Sequence, residues 1–197
     1  MLTIFKPAGS VLRQLVLLAA ALLFTLTAAP SAQAQDTAFR QAVASAAASD
    51  SDLRRFYEER NYAGIWSTSD DRARRRALQA AFDTAGDHGL PTARYTDSTL
   101  LAQLQAADTP QDRGRLEVAV SRLFLDYARD VQTGMVTPSR IDEAMQRRVP
   151  LRSRISTIRA FSQSSPAAFI RALPPASPEY WRLMDEKRKM ERLVGTD

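Results

Sequence analysis

The chain predicts an all-α fold, an irregular helical bundle of about seven to eight helices behind an N-terminal signal peptide, and three observations carry that expectation. Apolar residues recur at helical spacing in successive windows, most strongly at Leu116, Ala119, Val120, Leu123, Phe124, Tyr127 and Val131, which share one face of a 3.6-residue period. Thr137-Pro138, Ser165-Pro166 and Ser177-Pro178 repeat one device, a capping hydroxyl followed by proline at the first helical position. No stretch of useful length alternates with period two, and there is no fixed-period repeat or low-complexity linker, so neither sheets nor solenoids are indicated. With 45% hydrophobic and 25% charged residues in 197, the chain has the makings of one packed domain plus a targeting segment.

The N-terminus is that segment. Lys6 and Arg13 give a positive start, Leu15 to Thr27 is mostly apolar, and Ala32-Gln33-Ala34 is a small-x-small cleavage signature, which together read as a secretory signal over residues 1–34. The apolar run falls short of the about 20 residues a membrane span needs. An uncleaved signal would instead serve as an inner-membrane tether. Cleavage after Ala34 leaves 25 Lys and Arg against 22 Asp and Glu, a net charge of +3. So weak a bias, in an exported chain without a clustered basic stripe, argues against nucleic acid as a partner. The expected location is the periplasm.

The mature chain then divides into an alanine-rich lead-in over 35–50 and a helical domain over 51–194. The lead-in places Phe39, Ala42, Val43, Ala46 and Ala47 on a loose helical face with little to bury. Ser51 or Asp52 is expected to cap a helix carrying Leu53, Phe56 and Tyr57. An aromatic turn follows, in which Tyr57, Tyr62 and Trp66 are spaced to pack on one another. Asp70 or Asp71 opens the next helix, with Ala77, Leu78, Ala81 and Phe82 on one face. Arg72, Arg74, Arg75 and Arg76 lie opposite or beside that face. Such a run is either a solvated face with its stems along the helix or a surface for an anionic polymer.

At Gly86-Asp87-His88-Gly89-Leu90-Pro91 that helix stops and the backbone turns toward Tyr95. Gly86 and Gly89 are expected to stop it with left-handed residues, and His88 to cap or pack the corner. Thr96 or Asp97 caps a short helix with Leu100, Leu101 and Leu104, broken by Asp108-Thr109-Pro110. The long helix from about Gln111 to Thr133 is the expected central strut, and Gly134 stops it. Ile141 to Val149 is short and basic. Helices over roughly Ser153 to Ser162, from Ser165-Pro166 to Leu173, and from Ser177-Pro178 to about Val194 complete the chain.

No chemistry-bearing motif stands out. A phosphate loop, HExxH, GxSxG and every cysteine signature are missing, and the chain has no cysteine and one histidine. A lone histidine makes neither a metal site nor a nucleophile and base pair, so no catalytic residue, metal or cofactor is expected. Glu58/Glu59 and Asp70/Asp71 are adjacent pairs whose members point apart on a helix or cap, which suits solvated groups or dipole partners better than acid and base. Arg140, Arg147, Arg148, Arg152, Arg154 and Arg159 make a second basic region that would suit an anionic glycan or lipid surface.

The aromatic and glycine punctuation has an order of its own. Phe56-Tyr57 with Arg60, Tyr62 and Trp66 precede His88-Gly89-Leu90 and Tyr95, then Glu117, Tyr127, Gly134 and Pro138, then Leu173-Pro174 with Pro178, Tyr180 and Leu183. This order, over roughly Ser51 to Arg192, resembles the N-terminal scaffold domain of the large murein L,D-transpeptidases of Gram-negative bacteria. The resemblance implies an association with peptidoglycan or with cell-wall synthesis proteins. In that family the scaffold is followed by a peptidoglycan-binding module and a catalytic domain whose cysteine thiolate attacks a tetrapeptide stem. Here the chain closes at Gly195-Thr196-Asp197 without a cysteine, so no catalytic residue carries over and His88 belongs to the scaffold corner. The expectation is a non-catalytic scaffold in L,D-crosslinking, as a fragment, a truncated form or a stand-alone paralogue. The alternative is an independent periplasmic helical module that binds anionic glycan, lipid or cell-wall proteins.

Overall fold

A computed structural model describes residues 31–95, 98–136 and 152–195. The signal segment up to residue 30, Thr96 and Asp97, the Thr137-Pro138 device with Pro138, the Ile141 to Val149 stretch and Arg140, Arg147 and Arg148 lie outside the described residues. The chain falls into two compact units, Met1–Thr37 and Ala38–Asp197. Of the first, residues 31–37 form the opening turns of helix α1, exposed from Ala32 to Thr37; the second holds everything that follows.

Among the described residues the second unit's regular elements are all helices, without a strand. Helix α1 (Ser31–Ala47) carries more of the core than its alanine-rich composition implies. Val43 and Ala47 are fully buried, and Phe39 and Ala46 pack against them. The reason is Gly114, which has no Cβ to hold α1 away, so Ala42 and the backbone of Phe39 approach it directly.

Helix α2 (Ser51–Glu59) is capped one residue earlier than expected. Asp50 is extended, and its Oδ1 accepts the Leu53 amide at 3.2 Å, meeting one of the orphan donors of the first turn. Leu53, Phe56 and Tyr57 are buried, as the spacing predicts. The chain then reverses through Asn61 (φ 50°) and Tyr62 (φ 58°), two consecutive left-handed residues fixed by the Tyr62 amide donating to the Tyr57 carbonyl at 2.7 Å.

A 3₁₀ turn (Ser69–Asp71) leads into helix α3 (Arg72–Asp83). Asp71 is buried and folds back to accept from the Thr68 amide and hydroxyl, while Arg74 pairs with it and also donates to the Ser162 carbonyl. A second 3₁₀ turn (Ala85–His88) and the single turn α4 (Thr92–Tyr95) make the corner. Helix α5 (Ser98–Ala106) then buries Leu101 and Leu104.

Helix α6 (Pro110–Thr133) is the central strut, with Thr109 accepting the Asp112 amide at its start. Its buried surface is wider than the apolar stripe suggests. Glu117, Ser121 and Asp130 are buried along with Val118, Val120, Phe124, Leu125, Tyr127, Ala128 and Val131, whereas Leu116 and Leu123 are only partly covered. Contacts from α1, α2, α5 and α7 surround the helix, so polar positions are enclosed as well as apolar ones.

Helices α7 (Arg154–Gln163), α8 (Pro166–Arg171) and α9 (Pro178–Val194) follow. Their rings complete the core: Phe161 lies 4.4 Å from Phe124 and 5.3 Å from Trp66, and Phe169 packs edge-on to Phe161. Ser177 caps α9 by accepting the Tyr180 amide at 3.2 Å, the serine-proline device as expected. One face of α9 stays open, leaving Leu183 65% and Met190 68% exposed.

Candidate functional site

Two buried polar knots and one corner hold the bundle, and the first of them backs a polar groove. The first knot centres on Glu117, which is completely buried. Its Oε1 accepts the Ile65 amide at 2.6 Å and the Tyr57 hydroxyl at 3.1 Å. Oε2 accepts the Trp66 amide at 3.1 Å and the Ser67 hydroxyl. Ser121, one helical turn on, sits 2.7 Å from the Tyr57 oxygen and accepts the Trp66 indole N–H at 2.8 Å. With Tyr57 donating to Glu117, the Ser121 hydroxyl donates to Tyr57, so every member of the chain is satisfied. Burial pushes the Glu117 carboxyl above the ordinary range, against the pull of its donors, and raises the Tyr57 phenol as well. Gly64 is what permits this approach, because a Cβ there would stand 2.7 Å from Glu117 Oε2.

Tyr57 and Trp66 therefore meet through Ser121 and Glu117 instead of stacking on each other as their spacing suggested. Trp66 stacks on Phe161, and Tyr57 packs edge-on to Phe56. Tyr62 is half-buried at the turn.

The second knot joins Tyr95 to Asp130. The Tyr95 hydroxyl donates to Asp130 Oδ2 at 2.7 Å, and Arg129 and Arg94 pair with the same buried carboxylate. Tyr95, Tyr127 and Phe82 form an aromatic triad with centroids 5.5 to 5.8 Å apart. Burial, and then the nearby Tyr180 phenol, push Tyr127 up to about 12. Gly134 closes α6 at φ 75°, its amide returning to the Asp130 carbonyl.

At the corner, Gly89 is the left-handed residue (φ 71°), with its amide on the Gly86 carbonyl and the Leu90 amide on the Ala85 carbonyl. Gly86 lacks the positive φ expected of it. It sits inside the 3₁₀ turn, so one left-handed residue suffices, and a Cβ at Gly86 would press on Thr92 at 3.2 Å. Leu90 is buried. His88 Nδ1 lies 2.7 Å from the Tyr180 hydroxyl, and the Trp181 ring stands edge-on to the imidazole. Burial holds the His88 pKa below its ordinary value, with the Asp87 carboxylate opposing and Arg188 adding to the shift. His88 thus docks α9 on the corner, helped by the Arg188 to Asp87 pair at 3.8 Å. Pro174 follows buried Leu173 and ends the α8 segment.

The groove lies where the turn after Trp66 faces the start of α3 and the chain between α5 and α6. One pocket of about 460 Å³ is lined by Arg72, Arg75, Arg76, Gln79, Leu101 and Gln105. A second of about 300 Å³ runs on from it, sharing Arg75 and Gln105 and adding Ser67, Thr68, Ser69 and Arg113. Arg75 is fixed by donating to the Trp66 and Thr68 carbonyls, and the Glu117 knot holds the same turn from beneath. Among the described residues no acidic side chain lines either pocket. By contrast, two of the described arginines of the second basic region are paired: Arg154 with Asp50, Asp52 and Asp126, and Arg159 with Glu59. Glu59, read beforehand as a solvated or dipole-partner acid, ties α2 to α7. Among the described residues no group of His, Cys, Asp and Glu is placed to hold a metal, and no helix is long and apolar enough to cross a membrane.

Sequence reasoning placed Tyr57, Trp66, Tyr95, Tyr127 and Tyr180 without showing what they bond. Ser121, Asp130 and Arg113 went unremarked; for Ser121 the available signal was its position one turn after Glu117 on a helix that is otherwise apolar there. Comparison with known proteins gives a family model, described as Scaffold domain, that matches residues 51–186. The match is consistent with the scaffold domain of L,D-transpeptidases. No curated protein and no solved structure matches the chain.

Proposed function

Because the chain belongs to the Scaffold domain family over residues 51–186, whose role is a non-catalytic scaffold, we propose that it serves peptidoglycan L,D-crosslinking in the periplasm. The observation that carries this reading is the family match, which begins at the first residue of α2 and ends within α9. It therefore encloses both buried knots and the His88 corner. The motif order from Tyr57 to Tyr180 supports the link to murein L,D-transpeptidases, and the positive, apolar N-terminus supports export. In this reading the domain holds cell-wall synthesis proteins or peptidoglycan in place, while the acyl transfer itself is done by a cysteine on another domain or chain. Where the signal is not cleaved, the same segment tethers the domain to the inner membrane.

Deleting the gene in its source organism and measuring the share of L,D-crosslinked muropeptides in sacculus digests tests the proposal. A fall that is restored by the chain supplied in trans is expected. An unchanged share, with the protein shown to be present in the parent strain, would sink the link to L,D-crosslinking. Separately, fractionation that leaves the chain in the cytoplasm would dispose of the periplasmic assignment.

A further inference from the structure

We propose that the arginine groove between α3, α5 and the turn after Trp66 is a binding site for an acidic peptide segment. The inference rests on the groove alone and stands or falls independently of the crosslinking role. Arg72, Arg75, Arg76 and Arg113 converge on it with two glutamine amides, Gln79 and Gln105. Bringing like charges together costs free energy unless counter-charge is present, and several other arginines have it: Arg74, Arg94, Arg129, Arg154 and Arg159 each have a carboxylate in reach. Within the groove the described lining supplies none.

The lining also selects the class of anion. Guanidinium groups take carboxylates in a two-point fork, and the Gln105 amide offers the donor and acceptor pair that matches a peptide group, whereas Gln79 already donates to Asp83 Oδ1 at 2.9 Å. Single-stranded nucleic acid binds on exposed aromatic platforms as well as charge. The aromatic residue that lines this groove, Trp66, is fully buried and already committed to Ser121 and Phe161. A lipid surface calls for exposed apolar side chains beside the basic ones, yet Leu101 and Leu104 are 3% and 4% exposed. The combined volume of the two pockets lies within the range of roughly 300–1,000 Å³ typical of small ligand sites, which suits a few peptide residues.

The full chain lacking its signal, titrated into fluorescein-labelled hexaglutamate at low ionic strength and followed by anisotropy, tests the proposal. Binding that weakens by about tenfold or more in Arg72→Gln/Arg76→Gln is expected, since two charge-assisted contacts are removed. The charge-matched control Arg171→Gln/Arg182→Gln, on exposed residues of α8 and α9, should bind like wild type. Equal loss in both double variants would mean non-specific attraction and overturn the site. No binding of hexaglutamate, or tighter binding of oligothymidylate or of anionic vesicles that the groove variant abolishes, would overturn the peptide assignment. Unchanged circular dichroism in the groove variant ties any loss to the groove itself; should that variant unfold, Gln105→Glu, which puts an acid among the arginines, must weaken binding for the proposal to stand.

Discussion

Replacing Glu117 probes the centre of the fold, because four donors converge on one carboxylate that no ion pair reaches among the described residues. Glu117→Leu keeps similar bulk and leaves the buried Ile65 and Trp66 amides without acceptors. At about 1–3 kcal/mol for each orphaned donor, and with the Ser67 and Tyr57 hydroxyls losing an acceptor too, a loss of about 3–5 kcal/mol is expected. Glu117→Gln is gentler. Its oxygen can keep Ile65 and Tyr57, its NH₂ can donate to the Ser67 hydroxyl, and the Trp66 amide loses its 3.1 Å acceptor but keeps the longer 3.3 Å contact to the remaining oxygen. Lost charge assistance is partly offset by removing a buried charge, so about 1–3 kcal/mol is expected. Burial raises the folded carboxyl pKa, so the native state holds its proton to higher pH than the unfolded chain. This contribution is fully present below the ordinary carboxylate pKa of about 4.3 and is lost as pH rises through the folded value. The lead of wild type over Glu117→Gln should therefore narrow with rising pH. Urea unfolding in a Trp181→Phe background, which leaves Trp66 as the fluorophore, reads all three proteins. A Glu117→Leu variant as stable as wild type would refute the argument, as would a wild-type lead that widens from pH 4 to pH 7.

The remaining predictions concern the corner and the strut. His88, whose pKa is lowered by burial, contributes stability above its ordinary value of about 6.5 that is lost as pH falls. Hydrogen-exchange protection factors in α9, taken relative to the intrinsic rate at each pH, should accordingly fall below that pH, and His88→Gln should remove the step. Gly114→Ala places a methyl 2.7 Å from both Ala42 Cβ and the Phe39 carbonyl; separating α1 from α6 should cost about 1–3 kcal/mol in a urea melt. Gly89→Ala meets nothing within 4 Å, yet must hold φ 71°, so about 1–2 kcal/mol is expected from backbone strain alone. Phe124→Ala should cost about 3–5 kcal/mol, and Leu123→Ala clearly less because that side chain is only partly covered.

Much of this architecture was legible because it depends on local rules. Ser177-Pro178 and Ser165-Pro166 start helices since proline needs no intrahelical partner at that position, and Leu53, Phe56 and Tyr57 face inward since helical spacing puts them together. Errors gathered where long-range contacts decide. The lead-in around Val43 looked too poor in apolar surface to pack, but the missing Cβ of Gly114, some seventy residues away, lets α1 come close. Gly86 looked like a second left-handed stop because glycine permits that conformation; permission is not requirement, and the 3₁₀ turn needed only Gly89.

The site was less legible than the fold for a related reason. A hydrophobic stripe records only apolar positions, so Glu117 and Ser121 register as gaps in the pattern, although both are fully buried. A carboxylate so placed must be held by donors, and here these are chiefly the backbone amides of Ile65 and Trp66. The turn from Ile65 to Thr68 is thereby tied to the register of α6, with Arg75 clamping it from the other side through the Trp66 and Thr68 carbonyls. One wall of the arginine groove is thus built into the core, whereas Arg72 and Arg76 stand exposed on α3. Changes at Glu117 should therefore disturb both stability and the groove, while changes at Arg72 and Arg76 should disturb the groove alone.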